Sequence, residues 1–255
     1  MKKSLILALW STLLLQSCVF RKDILYFRDI ESNLGSISHK EPLVQVNDIL
    51  HINVNTVIPE AAMPYNTLSS RPGGNQSNSI ELLKLQGYLV SASGDIEFPI
   101  LGRFSVAKKS TPVIAQELKE KLEKGGHLIN PTITVRVINA KVTILGEVRA
   151  PGTYPFTEQF ITIPQALGFA GDLTINGDRK EVLLIREMNG LRSIKKINLT
   201  ESAWLNDPEL QIRQNDILVV NPNIQKIKTA GLIGNVGTLS SVFSIVLSTI
   251  ILLTR

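Results

Sequence analysis

Hydrophobic and polar residues alternate along many short runs of the chain, which is the pattern of half-buried β-strands. In one such run Leu50, Ile52 and Val54 lie on one face, and the positions between them are polar. Further strands are predicted at residues 43–46, 85–92, 96–99, 132–138, 141–148, 153–156, 181–187, 191–197, 210–213 and 217–220. The Asn189-Gly190 pair between two of them is a strong hairpin signal. The chain is therefore expected to fold around short strands.

Two segments show the periodicity of α-helices instead. Residues 111–124 carry an apolar stripe formed by Ile114, Leu118 and Leu122, and two glycines follow them. Apolar residues at this spacing share one face of a helix. A shorter helix is predicted over residues 162–170, again followed by a glycine. Strands and helices together predict an α+β fold.

The tetrapeptide Asn-Asp-Ile-Leu occurs twice, at residues 47–50 and 215–218, each time between two predicted strands. Asn-Asp ahead of a strand is common in β proteins, so the pattern alone leaves the meaning of this repeat open. The predicted elements divide near Asn139 into two small α+β units. Residues 59–79, which are rich in Pro, Gly, Asn and Ser, predict a loop.

The chain ends in a run without charge, residues 229–254, between Lys228 and Arg255. As a helix this run would extend roughly 38 Å, enough to cross a hydrocarbon core of about 30 Å. Around such a helix one face collects small polar side chains, among them Gly237, Ser241, Ser244 and Ser248. The opposite face collects apolar ones, among them Leu239, Val242, Val246 and Ile250.

Two interpretations of this run are open. It could be a lone anchor whose small residues pair closely with another helix. Alternatively, it could be one helix of a ring, with its apolar face toward lipid and its serine face toward a water-filled lumen.

The amino-terminal end predicts a cleaved and lipidated leader. Two lysines precede an apolar run over residues 4–15, which is too short to span a membrane comfortably. The sequence Leu15-Gln16-Ser17-Cys18 then resembles the bacterial lipobox, which implies a signal peptide over residues 1–17 and a lipid on Cys18 that anchors the chain in membrane lipid. Val19, rather than Asp, favours the outer membrane. Because a lipid anchor makes a second anchor redundant, this end favours the pore-wall interpretation of residues 229–254.

Composition argues against several other functions. Of 255 residues 19% are charged and 5% aromatic, and the net charge of +5 is spread along the chain, which does not predict nucleic-acid binding. His39, His51 and His127 are far apart, and Cys18 is the single cysteine. No motif for a catalytic serine, a phosphate loop or a dinucleotide occurs. We therefore expect no enzyme activity, catalytic residue, metal or cofactor.

The order of motifs resembles the outer-membrane polysaccharide export proteins, the Wza-type translocons of capsule and exopolysaccharide. In the first unit the resemblance lies in Asn-Asp-Ile-Leu at 47–50, Ser-Gly-Asp at 93–95 and Asn-Pro before the strand at 132–138. In the second it lies in Ile-Leu-Gly-Glu-Val at 144–148, Pro-Gly-Thr-Tyr at 151–154 and Asn-Asp-Ile-Leu-Val-Val at 215–220. These motifs cover nearly the whole mature chain.

The resemblance implies a domain organisation. After an N-terminal segment over residues 18–41, a small polysaccharide export domain is expected over 42–139 and one β-grasp-like SLBB domain over 140–222. A transmembrane amphipathic helix is expected over 223–255. Better-known members carry more than one SLBB domain, so a shorter periplasmic body is implied.

The resemblance also implies a function. Members form homo-oligomeric rings that pass capsular or extracellular polysaccharide through the outer membrane without chemistry, and they work with an inner-membrane co-polymerase that regulates chain length. The soluble domains would lie in the periplasm, and Gly237, Ser241, Ser244 and Ser248 would face the pore. The alternative is a periplasmic lipoprotein that binds glycan or peptidoglycan and uses its C-terminal helix as an anchor or adaptor.

Overall fold

A computed structural model of the chain describes residues 25–29, 31, 39–66, 80–188, 190–223 and 236–253. The strands are β1 (Ile49–Asn55), β2 (Tyr88–Leu89), β3 (Asp95–Phe98), β4 (Gly102–Ser105), β5 (Thr132–Val137), β6 (Lys141–Gly146), β7 (Gly152–Pro155), β8 (Gly177–Met188), β9 (Leu191–Ile197) and β10 (Ile217–Pro222). The α-helices are α1 (Pro59–Ala62), α2 (Ile80–Gln86), α3 (Thr111–Lys124), α4 (Ile163–Phe169) and α5 (Val236–Leu253). Short 3-10 helices lie at Met63–Tyr65, Ala203–Asn206 and Pro208–Leu210.

The first hydrophobic core forms between a three-stranded antiparallel sheet and helix α3. The sheet has the order β2-β1-β5, and β3 and β4 form a separate antiparallel hairpin. The alternating residues of β1 point into this core, as their spacing predicts, and α3 packs against β5. Its predicted stripe of Ile114, Leu118 and Leu122 is fully buried.

The second core lies under a five-stranded mixed sheet with the order β7-β6-β10-β8-β9. Strands β6 and β10 pair in parallel, and the other pairs are antiparallel. Helix α4 packs against β6. It begins with a capping box in which the Thr162 hydroxyl accepts from the N–H of Gln165, whose side chain accepts from the N–H of Thr162.

Gly146 ends β6 where the chain passes very close to β10. Its φ of +91° is a conformation that side chains rarely adopt, and an added Cβ would lie 2.0 Å from the carbonyl oxygen of Val220. A glycine is therefore required for β6 and β10 to pair up to this point.

Three of the predicted strands are wrong. Residues 43–46 contribute only an isolated bridge from Leu43 to Ser110. Residues 85–92 begin in α2 and contain only the two-residue strand β2. Gly87 lies between α2 and β2, and a Cβ there would lie 2.4 Å from the Ile49 side chain. The absence of a side chain at this position therefore lets the chain pass close to β1. Residues 210–213 contribute only an isolated bridge from Ile212 to Ile161. Their apolar side chains are buried through loop packing rather than strand pairing.

The C-terminal membrane span is also corrected. Within the described residues the uncharged run holds helix α5, which has 18 residues. Across the described ranges no helix combines the length and apolar character needed to cross a membrane. The fold is thus mixed α+β, and a transmembrane helix over 223–255 is not supported.

Candidate functional site

The two Asn-Asp-Ile-Leu repeats form the same local structure. Asn47 and Asn215 both have a left-handed backbone, with φ of 70° and 64°, which asparagine tolerates better than most residues. Asp48 and Asp216 are each only 1% exposed. Each carboxylate accepts the backbone N–H of the residue three positions earlier, at 2.8 Å in both turns. The repeat is therefore a shared turn closed by a buried aspartate.

These two turns meet where the two cores adjoin. The side-chain amide of Gln214, from the second turn, donates to Oδ2 of Asp48 in the first turn at 2.8 Å, and this contact is buried. Asn139, between β5 and β6, adds a second link. Its Oδ1 accepts from the N–H of Ile49 at 2.8 Å, and its Nδ2 donates to the carbonyl of Asn47 at 2.9 Å.

The surroundings of the two aspartates differ in charge. Arg186 of β8 binds Asp216 through Nε at 2.8 Å and Nη2 at 2.7 Å, so that carboxylate has a buried cation. Asp48 has no salt bridge within the described ranges. Burial raises the pKa of Asp48 to about 6, and the hydrogen bonds from Gln45 and Gln214 oppose this rise only in part.

A cleft of about 600 Å³ opens beside the two turns, with walls from both halves of the chain. Its lining from the first half comprises residues 42–47, Ala107 and Lys108, and its lining from the second half includes the β8–β9 hairpin, residues 213–215 and Ile217. Three cations line it, Lys108, Arg192 and Arg213, against one carboxylate, Glu187, which pairs with Arg192 at 3.2 Å. The cleft is therefore basic.

Arg213 is the buried cation of this cleft. Its Nη1 contacts the sulfur of Met188 at 3.9 Å. Its Nη2 forms an ion pair with Oε2 of Glu209 at 3.7 Å, a distance too long for a hydrogen bond. Neither Nε nor Nη2 makes a hydrogen bond in the described part of the chain. Burial, followed by the nearby Arg186 charge, lowers the pKa of the Arg213 guanidinium from its ordinary value.

The amino-terminal segment over residues 25–29 docks on the second half of the chain. The N–H groups of Phe27 and Arg28 donate to the carbonyls of Leu199 and Thr200, at 3.3 and 2.9 Å. This segment is therefore held just beyond the end of β9, so it is close to the first core in sequence but adjacent to the second core in space.

The structure describes the predicted pore residues but not the predicted lipidation site. Cys18 and the predicted signal peptide lie outside the described residues. Gly237, Ser241, Ser244 and Ser248 lie on α5 and are exposed, and the Ser241 hydroxyl donates to the carbonyl of Gly237 at 2.9 Å. Their assignment to a pore presupposed a membrane-spanning helix, so it is not carried further.

The histidines make local contacts. His39 stacks on Phe160 with ring centroids 4.8 Å apart, and His127 lies edge-on to Tyr65. Within the ranges that the structure describes, no group of His, Cys, Asp and Glu residues is placed to hold a metal ion. The absence of catalytic residues and cofactors stays a prediction.

Sequence reasoning missed the charged residues of the junction. Arg186 had a signal, since it continues the inward alternation of Val182 and Leu184 in β8 and is the kind of buried charge that needs a partner. Gln214 had none, because its role depends on a contact with Asp48, which is 166 positions away in the chain.

Comparison with known proteins identifies the two halves. Residues 37–138 match the family model described as polysaccharide biosynthesis/export protein, and residues 141–194 match the SLBB domain. The chain therefore contains a domain of the polysaccharide biosynthesis/export family, followed by an SLBB domain.

Relatives with curated names agree with this assignment. The EPS I polysaccharide export outer membrane protein EpsA of Ralstonia solanacearum is 26% identical over 168 residues, covering 64% of this chain and 44% of that protein. EpsA of Ralstonia nicotianae is 31% identical over 134 residues, covering 50% and 34%. The exopolysaccharide production protein ExoF of Rhizobium meliloti is 31% identical over 96 residues, covering 36% and 23%. The chain thus matches less than half the length of each of these relatives.

Proposed function

We propose that this chain is a non-catalytic subunit of an outer-membrane assembly that exports exopolysaccharide. In this proposal a lipid on Cys18 anchors it, with its domains in the periplasm. Residues 42–139 form the export domain and 140–222 the SLBB domain. Copies associate in a ring that receives the polymer from an inner-membrane co-polymerase.

The observation that carries the proposal is the succession of the two matched domains, in a chain whose relatives are named for export of exopolysaccharide. The buried link between Gln214 and Asp48 supports it, because the two domains then act as one body rather than as independent binding modules.

Deletion and complementation in the producing bacterium test the export role. Loss of the chain should lower extracellular polysaccharide and leave polymer inside the cell, and the intact chain should restore secretion. Unchanged secretion in the deletion strain would contradict the proposal. Polymer length should not change when purified polysaccharide is incubated with the protein, and shortening would show catalysis.

The anchor and the ring need separate measurements. The Cys18→Ala variant should remain unprocessed and lose its outer-membrane location, and normal processing would refute lipidation. Electron microscopy of the protein purified in detergent should show rings. Uniform monomers would instead favour a periplasmic lipoprotein that binds glycan.

A further inference from the structure

The basic cleft beside the two Asn-Asp turns has no role in the function proposed so far. We infer that it binds a carboxylate-bearing sugar residue, so that the polymer handled by this protein is an acidic glycan. This inference rests on the proposed export function and specifies the substrate class.

The size and position of the cleft suit a saccharide. Its volume of about 600 Å³ falls within the range of about 300–1,000 Å³ typical of small-molecule sites. Both domains contribute walls, and sites between domains are common binding positions. A sugar residue bound there would contact the two domains at once.

Arg213 supplies the strongest argument for an anionic ligand. The residue is 5% exposed and lines the cleft, while two of its guanidinium nitrogens make no hydrogen bond in the described ranges. Buried donors in folded proteins almost always have partners, because an unpaired one loses its water without compensation. Glu209 forms an ion pair with Nη2 at 3.7 Å, which is too long for a hydrogen bond, so the donors themselves stay without acceptors. A carboxylate that reaches Arg213, with a small shift of the guanidinium, would provide the missing acceptors.

The rim of the cleft adds charge of the same sign. Lys108 is exposed there and has no salt bridge within the described residues. Arg192, also on the rim, forms an ion pair with Glu187. These cations would attract an anion from solution and hold it near Arg213.

The remaining polar lining favours a sugar over a simple anion. Gln45, Asn47 and Asn215 offer amide groups, which both donate and accept hydrogen bonds and so match sugar hydroxyls. A planar guanidinium forms paired hydrogen bonds with a planar carboxylate. The combination fits a uronic acid, which carries hydroxyls and a carboxylate on one ring.

Calorimetric titration of the purified full chain in detergent tests the inference. The acidic probe is tetragalacturonate, and the neutral control is maltotetraose of the same length. We expect binding of the acidic probe that weakens as salt rises, and affinity for the neutral probe at least about tenfold lower. Equal affinity for both probes, or no binding of the acidic one, would overturn the inference.

Substitutions locate the site. Lys108→Glu should weaken binding of tetragalacturonate at least about tenfold, since it reverses an exposed charge at the rim. Lys124→Ala, which removes an exposed lysine of α3 away from the cleft, should leave it unchanged. Arg213→Gln should abolish acidic preference. If that variant fails to fold, Arg192→Gln is measured in its place, and its affinity for tetragalacturonate should be several-fold lower than that of the unchanged chain.

The result is independent of the export test. A chain that restores secretion but does not distinguish the two probes contradicts the acidic-glycan site and leaves the export function standing. Binding that is unaffected by all cleft variants places the anion elsewhere and likewise contradicts the inference.

Discussion

Asp48 is a carboxylate held in the core of the protein with hydrogen bonds but no cation. It is 1% exposed, and its pKa of about 6 lies above the ordinary value of 3.8. The Asp48 carboxyl group therefore binds a proton more tightly in the folded state than in the unfolded state. Stability from this group is greatest at low pH and falls as pH rises from about 4 to about 6.

We expect Asp48→Asn to remove this pH dependence. A rise of the pKa from 3.8 to about 6 corresponds to a change on the order of 3 kcal/mol in the free energy of unfolding across the window. Urea denaturation at pH 4 to 7 should show a smaller decline in stability for Asp48→Asn than for the unchanged chain. Glu60→Gln, which alters an exposed carboxylate of the same domain, should retain the full decline. An equal decline in all three proteins would contradict this account.

The buried carboxylate of Asp216 is paired with a cation, Arg186, so we expect substitution of Arg186 to destabilise the fold. Arg186→Gln leaves Asp216 buried without its cation, which should lower the free energy of unfolding by about 3–5 kcal/mol. Arg192→Gln breaks a pair whose members are both more than 60% exposed, and should change it by at most about 1 kcal/mol. Denaturant unfolding curves measure the stability of both variants. Similar losses of stability in the two variants would contradict the view that burial makes the Arg186 ion pair more important than the exposed one.

At the scale of single residues, the sequence predicts the two Asn-Asp turns but not the contact between them. The Asn-Asp-Ile-Leu repeat marks two turns, and both have the same closure by aspartate. The contact between Asp48 and Gln214 spans 166 positions, so it depends on the packing of two separate cores. No local pattern encodes such a pair.

At the scale of elements, helix α3 is the clearest success of periodicity. Its stripe is predicted from spacing alone, and each member is fully buried against the first core. Leu118→Ala should therefore lower the free energy of unfolding by about 2–5 kcal/mol, through lost burial and a cavity. Val113→Ala on the same helix, at a position 46% exposed, should cost well under half as much. Thermal unfolding of both variants gives the comparison, and equal losses would show that α3 does not pack through this stripe.

The failures among the elements share a physical cause. The apolar alternation at 210–213 predicted a strand, but these residues pack against the second core as a loop with a single bridge, from Ile212 to Ile161. The uncharged run at 229–254 shows a lack of charge, and its described part holds an 18-residue helix that does not meet the requirements of a membrane span. Hydrophobicity shows that a segment avoids water, whereas backbone pairing or length decides which structure it forms.

At the scale of the whole molecule, the amino-terminal segment constrains how the chain meets a membrane. Phe27 and Arg28 are bound to the second domain, and Cys18 lies only seven residues before Leu25. Seven extended residues reach at most about 25 Å. If Cys18 carries the lipid, Leu25 must lie within this distance of the bilayer, and the face of the second domain around Trp204, which packs against Phe27, must lie close to Leu25.

Energy transfer from tryptophan to dansyl-labelled lipid headgroups measures this arrangement. Removal of the predicted signal peptide eliminates Trp10, so Trp204 becomes the only donor in the processed chain. The lipidated protein in liposomes should show strong transfer, because its short tether holds Trp204 near the headgroups. A flexible insert of about 15 Gly and Ser residues after Val19 would lengthen the tether and should reduce transfer, while the same insert at the exposed residue Gly190 should not. Transfer that is equally weak with the short and the long tether would mean that the second domain stands away from the membrane, and that the segment over residues 25–29 releases its contacts when the chain is anchored.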